Sequence, residues 1–117
     1  MTDFTRKSFN QPDEIRKYEM FKWELVTLGN WTVLRYTLEP GWRWTEHAAP
    51  LAETATCQEP HPLWTIISGK MIVQMDDGRK KELGPGEIGF IPPGHDAWVV
   101  GDQPIVAIDF QPLNGDS

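Results

Sequence analysis

The stretch GPGEIGFIPPGHDAWVV, residues 84–100, combines two tight turns with two short apolar segments. Glycine and proline break the chain at the turns, while isoleucine, phenylalanine, valine and tryptophan favour β-strands between and after them. A single histidine, His95, follows the second turn at once. Because the two prolines restrict the backbone before it, the turn would hold this side chain in one direction, which makes His95 a candidate site residue.

The same alternation of turns and short strands fills most of the chain. KWELVTL and WTVLRYTLEP flank Gly29-Asn30, a pair suited to a two-residue hairpin turn. Further strands are predicted at LWTIIS, KMIVQM, RKKEL and IVAIDF. About eight short strands without an internal repeat predict an all-β sandwich or small barrel.

Composition and charge narrow the function classes. The 117 residues suffice for one domain, and a net charge of -6, from 11 Lys and Arg against 17 Asp and Glu, argues against nucleic-acid binding. No apolar run approaches the roughly 18 residues of a membrane span, and the first residues lack the apolar core of a signal peptide. We therefore expect a cytoplasmic protein with neither a nucleic-acid nor a membrane partner. The single cysteine, Cys57, excludes an internal disulfide.

The motifs resemble those of the cupins, which are double-stranded β-helix or jelly-roll barrels. GWRWTEH, residues 41–47, with a later strand ending at Gly69, is similar to the first cupin motif, and GEIGFIPPG, residues 86–94, is similar to the second. The resemblance spans roughly residues 31–110 and implies a jelly-roll fold. On this basis residues 1–21 form an N-terminal extension with a first strand or helical turn, residues 22–112 form the barrel, and residues 113–117 form a tail.

The resemblance also implies a divalent metal ion, Zn, Fe, Ni or Mn, but the ligand motif is atypical. Ala49 stands where a cupin has the second histidine of His-x-His, Pro62 where it has glutamate, and Ala97 where it has the last histidine. Nevertheless His47, His61 and His95 all lie at or beside ligand positions. Strand residues two apart share a face, so His95 could point inward as a residue at 97 would. The expected ligands are therefore His47, His61 and His95, with Cys57 as a fourth candidate.

Structural roles remain open for each of these residues. His95 could cap a turn, and His61 could form a structural corner because it lies between two prolines. Cys57 could be a small buried apolar residue. Residues 42–62, which hold two of the three histidines and the cysteine, show no strand period, and so long a connection in a small domain is usually functional or disordered. The tryptophans and histidines in it favour order.

A second group of residues suggests a ligand pocket at the mouth of the barrel. Pockets are mostly apolar with a few polar groups, which predicts a small, partly apolar and anionic ligand. The expected substrate-binding residues are Arg35, Trp44, Trp64, Gln74, Phe90 and Trp98. The tryptophans could instead fill the core or a dimer interface.

The expected function is that of a small cupin that binds a small molecule in its barrel beside a histidine-held divalent metal. If it is an enzyme, Glu46 and Glu59 are the candidates for acid and base catalysis, and the reaction would be of isomerase, cyclase, hydrolase or oxygenase type. The alternatives are a metal-free binding or sensing module and a non-catalytic oligomeric scaffold. A homodimer is expected, as is common among cupins.

Overall fold

The computed structural model describes residues 3–113 and consists mainly of antiparallel strands. The strands are β1 (Glu14–Lys17), β2 (Phe21–Leu28), β3 (Trp31–Leu38), β4 (His61–Ser68), β5 (Met71–Met75), β6 (Lys80–Leu83), β7 (Ile88–Ile91), β8 (His95–Val99) and β9 (Ile105–Pro112). The predicted all-β class is confirmed. The predicted tail lies outside the described residues from position 114 onward.

The strands form two sheets that enclose one core. The larger sheet has the order β1-β2-β3-β9-β4-β7, and the smaller has the order β6-β5-β8. Strands that are distant in the chain become neighbours, as in the pairing of β3 and β4 with β9. Alternate side chains point between the sheets, and the most deeply buried apolar ones are Leu38, Ile66, Ile105 and Ala107.

The predicted hairpin is confirmed, and of the two forms expected within residues 1–21, a first strand or a helical turn, the structure has a strand. Strands β2 and β3 pair in register from Phe21 with Leu38 to Leu28 with Trp31, and Gly29-Asn30 forms the turn. This first strand is β1, whose sequence EIRK is exposed throughout. It lacks the apolar alternation that identifies a half-buried strand, so only its pairing with β2 reveals it.

Residues 42–62 are ordered, as expected, and contain a short helical segment. A π-helical turn covers Trp44–Ala48 and continues into the single turn α1 (Ala49–Ala52). Asp96 anchors this segment: its carboxylate accepts hydrogen bonds from the Arg43 side chain, at 2.7 Å, and from the Thr45 backbone, at 3.1 Å.

Over residues 3–113 no helix has the length and apolarity needed to cross a membrane.

Gly69 provides a test of the barrel packing. Its φ is +83°, and an added Cβ would lie 2.5 Å from the Pro104 carbonyl oxygen and 2.9 Å from the Ile105 Cα. Gly78 has a similar φ of +93° but open space around it. Gly78→Ala should therefore cost only the backbone strain, about 1 to 2 kcal/mol. Gly69→Ala should lose about 1 to 3 kcal/mol more, because the backbone must shift. Urea unfolding of both variants measures the difference, and equal losses would contradict the close approach at Gly69.

Candidate metal centre and cavity

Three buried side chains converge at one end of the barrel. The side chains are those of Cys57, His61 and His95, and one donor atom from each lies within 4.8 Å of the other two. The Cys57 Sγ is 3.9 Å from the His61 Nε2. The rings of His61 and His95 are 5.5 Å apart and meet edge to face. The structure thus brings together two of the three predicted histidines and the cysteine.

Backbone pairing places these residues. Cys57 and His95 form an isolated antiparallel bridge, in which the Cys57 amide donates to the His95 carbonyl at 2.7 Å. The Cys57 carbonyl accepts from the Gly94 amide, also at 2.7 Å. His61 begins β4 and pairs with Ile91 on β7. The turn before His95 and the loop before His61 are therefore held side by side.

A second set of contacts orients both imidazoles. The His61 Nδ1 is 2.9 Å from the Asp109 Oδ2, and the His95 Nδ1 is 2.9 Å from the Pro92 carbonyl oxygen. A carboxylate and a carbonyl only accept hydrogen bonds, so each Nδ1 donates its proton. Each Nε2 is then the nitrogen that would bind an ion once it has lost any proton it carries. Metal-bound histidines usually have such a partner on the second nitrogen.

Asp109 was not among the predicted site residues. It lies in β9 with 1% of its surface exposed, and the Gln111 amide also donates to its Oδ2, at 3.1 Å. The sequence signal for it was an acidic residue inside the apolar strand IVAIDF. A buried carboxylate of this kind requires a polar partner, and in this structure the partners are His61 and Gln111.

The electrostatics favour a charged pair between Cys57 and His61. Burial alone would raise the pKa of the Cys57 thiol, but hydrogen bonds from His61 and His95 outweigh it and lower the pKa to about 6. Burial alone would lower the pKa of His61, but the Asp109 carboxylate and the Cys57 thiolate raise it to about 10. Near neutral pH the metal-free site therefore holds a thiolate beside an imidazolium.

His47 lies outside the cluster. It follows Glu46 in the π-helical turn, and its Nδ1 accepts a hydrogen bond from the Arg43 amide at 3.0 Å. Within residues 3–113, the cluster of possible metal ligands consists of Cys57, His61 and His95 and does not include His47. The spacing from Gly41 to His47 resembles the cupin motif, but the chain then turns into a helical segment rather than a strand.

A cavity of about 270 Å³ adjoins the cluster. Cys57, His61 and His95 form part of its wall, and Leu51 and Ala52 of α1 lie at its edge. Glu59 also lines it, with an exposed side chain. Residues 48–60 thus supply a candidate ligand and several wall residues.

Two of the six predicted substrate-binding residues line this cavity, namely Trp44 and Trp64. Arg35 points to the opposite face of β3, where it pairs with Glu24 at 3.1 Å. Gln74 and Trp98 lie on the faces of β5 and β8 opposite Val73 and Ala97, which are buried. Phe90 is 71% exposed on β7. These four residues lie outside the cavity because the alternation of side chains along a strand turns them outward.

Tyr36 is an unpredicted polar residue of the cavity wall. Its ring packs against Trp64 with centroids 5.2 Å apart. Burial first, and then the negative charge of Asp109 and Glu59, raises the pKa of the Tyr36 hydroxyl well above its usual value. Tyr36 therefore stays protonated and presents a neutral hydroxyl group.

Comparison with solved structures identifies the fold. The chain has the double-stranded β-helix, or cupin, fold. An uncharacterised double-stranded β-helix protein from Klebsiella pneumoniae is similar, with 21% identity, a TM-score of 0.64 and coverage of 97% of this chain and 94% of the other. The polyketide cyclase RemF from Streptomyces resistomycificus has 17% identity and a TM-score of 0.63, with coverage of 95% and 80%.

Larger proteins contain the same fold as a part. A mutant of the Bacillus subtilis oxalate decarboxylase OxdC is 21% identical with a TM-score of 0.61, and the match covers 87% of this chain but 28% of that one. For AerE from Microcystis aeruginosa the identity is 13%, the TM-score is 0.59 and the coverage is 86% and 45%. This chain therefore spans less than half of either protein. No family model and no curated protein matches the sequence.

The charged pair predicts an unusual thiol titration. In metal-free protein, thiolate absorbance near 240 nm should appear with a midpoint near pH 6, because the folded pKa of Cys57 is about 6. The unfolded chain should titrate near the ordinary value, about 8.5. Cys57→Ser provides the blank. A folded-state midpoint at or above the unfolded one would contradict the hydrogen bonds from His61 and His95.

Proposed function

We propose that the protein binds a divalent metal ion through Cys57, His61 and His95 and acts on a small molecule held in the adjacent cavity. The observation that carries this proposal is the convergence of three buried donors at the cavity wall. Three protein ligands leave at least one coordination position for water or substrate, as in catalytic rather than structural zinc sites. The cavity provides the space for that substrate.

The donor set fits a metal in chemistry, and one donor pair lies near the separation that a metal requires. Two ligands of a tetrahedral zinc ion, one sulfur and one nitrogen, are about 3.6 Å apart when the bond lengths are about 2.3 and 2.1 Å. The separation between the Cys57 Sγ and the His61 Nε2 is 3.9 Å, so a small closure is enough. Thiolate and imidazole ligands suit zinc or iron better than manganese, which prefers oxygen donors.

The neighbouring side chains support proton-transfer chemistry. A bound metal would polarise a carbonyl or lower the pKa of a water molecule. Glu59 has a carboxylate at the cavity edge that can accept a proton, and Tyr36 has a hydroxyl group that can donate a hydrogen bond. Glu46 is exposed on the π-helical turn, away from the cavity wall, which leaves Glu59 as the base.

We therefore favour an isomerase, cyclase or hydrolase type of reaction over an oxygenase. The similar structures include a polyketide cyclase and an oxalate decarboxylase. These names support the view that this fold accommodates enzymes of more than one reaction type.

A metal-free binding module is the second candidate. Its support is that His61 already has partners in Asp109 and Cys57, so the cluster is electrostatically satisfied without an ion. The aromatic cavity would then carry the function alone. Metal content separates the two candidates.

Metal stoichiometry tests the ligand set. The protein incubated with zinc and then desalted should contain about one zinc per chain by elemental analysis. Cys57→Ala, His61→Ala and His95→Ala should each lose most of it, whereas His47→Ala should retain it because His47 lies outside the cluster. Circular dichroism checks that each variant is folded. Zinc retained by the three variants, or lost in His47→Ala alone, would refute this ligand set.

Asp109→Asn is expected to bind zinc about 10 to 100 times more weakly than the wild type. The amide is neutral and no longer holds the His61 imidazole through a charged hydrogen bond. Competition with a zinc-sensitive chelating dye measures the affinity. Asp96→Asn is the matched control, since Asp96 bonds Arg43 and Thr45 rather than a cluster residue.

We also propose that the protein forms a homodimer through the outer face of the larger sheet. Ile67 on β4 and Ile88 and Phe90 on β7 are 56%, 65% and 71% exposed there. β7 is also the edge strand of that sheet, and exposed apolar edges favour association. A second copy would cover this surface.

Light scattering coupled to size exclusion tests the dimer. Phe90→Glu should shift a dimer to a monomer because a charge would be buried without a partner. Leu51→Gln, which changes a 56% exposed leucine near the cavity edge, should leave the mass unchanged. A monomeric wild type would refute the proposal.

We also propose that the protein is located in the cytoplasm, where reducing conditions keep a thiolate ligand available.

A further inference from the structure

We infer that the cavity selects a small, flat aromatic molecule that carries no negative charge. This inference rests on the proposed function, because it names the substrate class of the same cavity. It departs from the anionic ligand expected from the sequence.

Aromatic rings form much of the cavity wall. Seven tyrosine, phenylalanine and tryptophan residues line it, namely Tyr18, Phe21, Trp23, Tyr36, Trp42, Trp44 and Trp64. Tyr18 and Phe21 stack with centroids 4.6 Å apart, and Tyr36 and Trp64 lie tilted at 42°. Ring faces and edges at several angles provide stacked and edge-to-face partners for a further ring. An aliphatic molecule of the same size would gain only apolar contact.

The charges around the cavity disfavour an anion. Among residues 3–113, the wall contains no lysine or arginine, whereas it contains the Glu59 carboxylate. Asp109 stands directly behind His61 and is also negative. A divalent ion would be offset by the Cys57 thiolate and by these two carboxylates. Whether the positive group is the His61 imidazolium or a bound ion, the Cys57 thiolate and these two carboxylates leave the surroundings net negative, which disfavours an anionic ligand.

The two arginines that could have bound an anion are engaged elsewhere. Arg35 pairs with Glu24 on the outer face of β3. Arg43 pairs with Asp96 at 2.7 Å and covers the Trp98 ring at 4.5 Å from its centroid. The Arg35 guanidinium also lies 5.1 Å from the centroid of the Phe9 ring. Each of the two guanidinium groups therefore already has a carboxylate and an aromatic ring as neighbours. Neither lines the cavity.

The volume limits the size of the ligand. Ligand pockets commonly measure roughly 300 to 1,000 Å³, and this one measures about 270 Å³. A molecule of one or two rings fits this space. A hydroxyl or carbonyl oxygen on such a molecule would face the cluster of Cys57, His61 and His95, where the open coordination position is expected.

Three matched probes test the inference by calorimetry on zinc-incubated protein. The probes are 2-naphthol, naphthalene-2-sulfonate and decahydro-2-naphthol, which differ in charge or in aromaticity. 2-Naphthol should bind about tenfold or more tightly than the sulfonate, because a unit charge near a carboxylate is repelled. It should bind about threefold or more tightly than the saturated alcohol. Equal or tighter binding of the sulfonate, or no binding of 2-naphthol, would overturn the inference.

Variants assign each preference to its residue. Glu59→Gln should reduce the preference for 2-naphthol over the sulfonate by about threefold or more. It should leave the preference for 2-naphthol over the saturated alcohol, the aromatic preference, unchanged. Trp44→Leu should reduce the aromatic preference. Trp31→Leu, at a surface position 43% exposed and outside the cavity, should change neither. If the preferences survive Glu59→Gln and Trp44→Leu unchanged, the probes bind elsewhere and the inference is wrong.

The same samples separate this inference from the proposed metal function. Zinc content is measured before each titration. 2-Naphthol binding to a protein that takes up no zinc would refute the metal proposal and preserve the ligand class. Stoichiometric zinc with a preference for the sulfonate would preserve the metal proposal and refute the ligand class.

Discussion

The bridge between Cys57 and His95 is the interaction on which the site depends. Two short hydrogen bonds, from the Cys57 amide to the His95 carbonyl and from the Gly94 amide to the Cys57 carbonyl, tie an irregular loop to a barrel strand. Without this pairing, Cys57 would lie in a loop that no strand holds in place. With it, a side chain from the loop is held as firmly as side chains from the strands. The cavity wall that residues 48–60 complete is therefore part of the barrel architecture.

The same principle holds the two histidines. His95 is fixed by the turn before it and by the Pro92 carbonyl, and His61 by strand pairing with Ile91 and by Asp109. Backbone geometry sets the position of each ring, and a hydrogen bond to Nδ1 sets its orientation. Site geometry of this kind is preorganised, because little conformational freedom remains to be lost when a ligand binds.

The sequence predicted the fold, and two of the three histidines that it proposed as ligands lie in the candidate cluster. Turn residues and two-residue periodicity are local signals, and they identified the β2–β3 hairpin and the barrel strands after it. His61 and His95 could be predicted because both occur beside strand ends marked by proline. The sequence could not place His47 outside the cluster or Cys57 within it, since their positions depend on a helical turn at residues 44–48 and on pairing between positions 38 residues apart. Such distant contacts leave no periodic trace.

The outward-facing residues illustrate a second limit. Arg35, Gln74 and Trp98 were chosen by chemical type, but a shift of one position along a strand reverses the direction of a side chain. Tyr36 and Asp109 are cavity and support residues for the same reason. A pattern interpreted without the register can select a residue that points away from the cavity as easily as the neighbour that lines it.

The division of the cluster between a loop and two strands has a consequence for divergence. Loops accept insertions and deletions more easily than strands do. A change in the length of residues 48–60 would remove the sulfur donor and leave the two imidazoles and Asp109 in place. The barrel would then retain a nitrogen pair to which another loop could add an oxygen, nitrogen or sulfur donor. Descendants of this chain could thus change the set of donor atoms by exchanging one surface segment, without repacking the core.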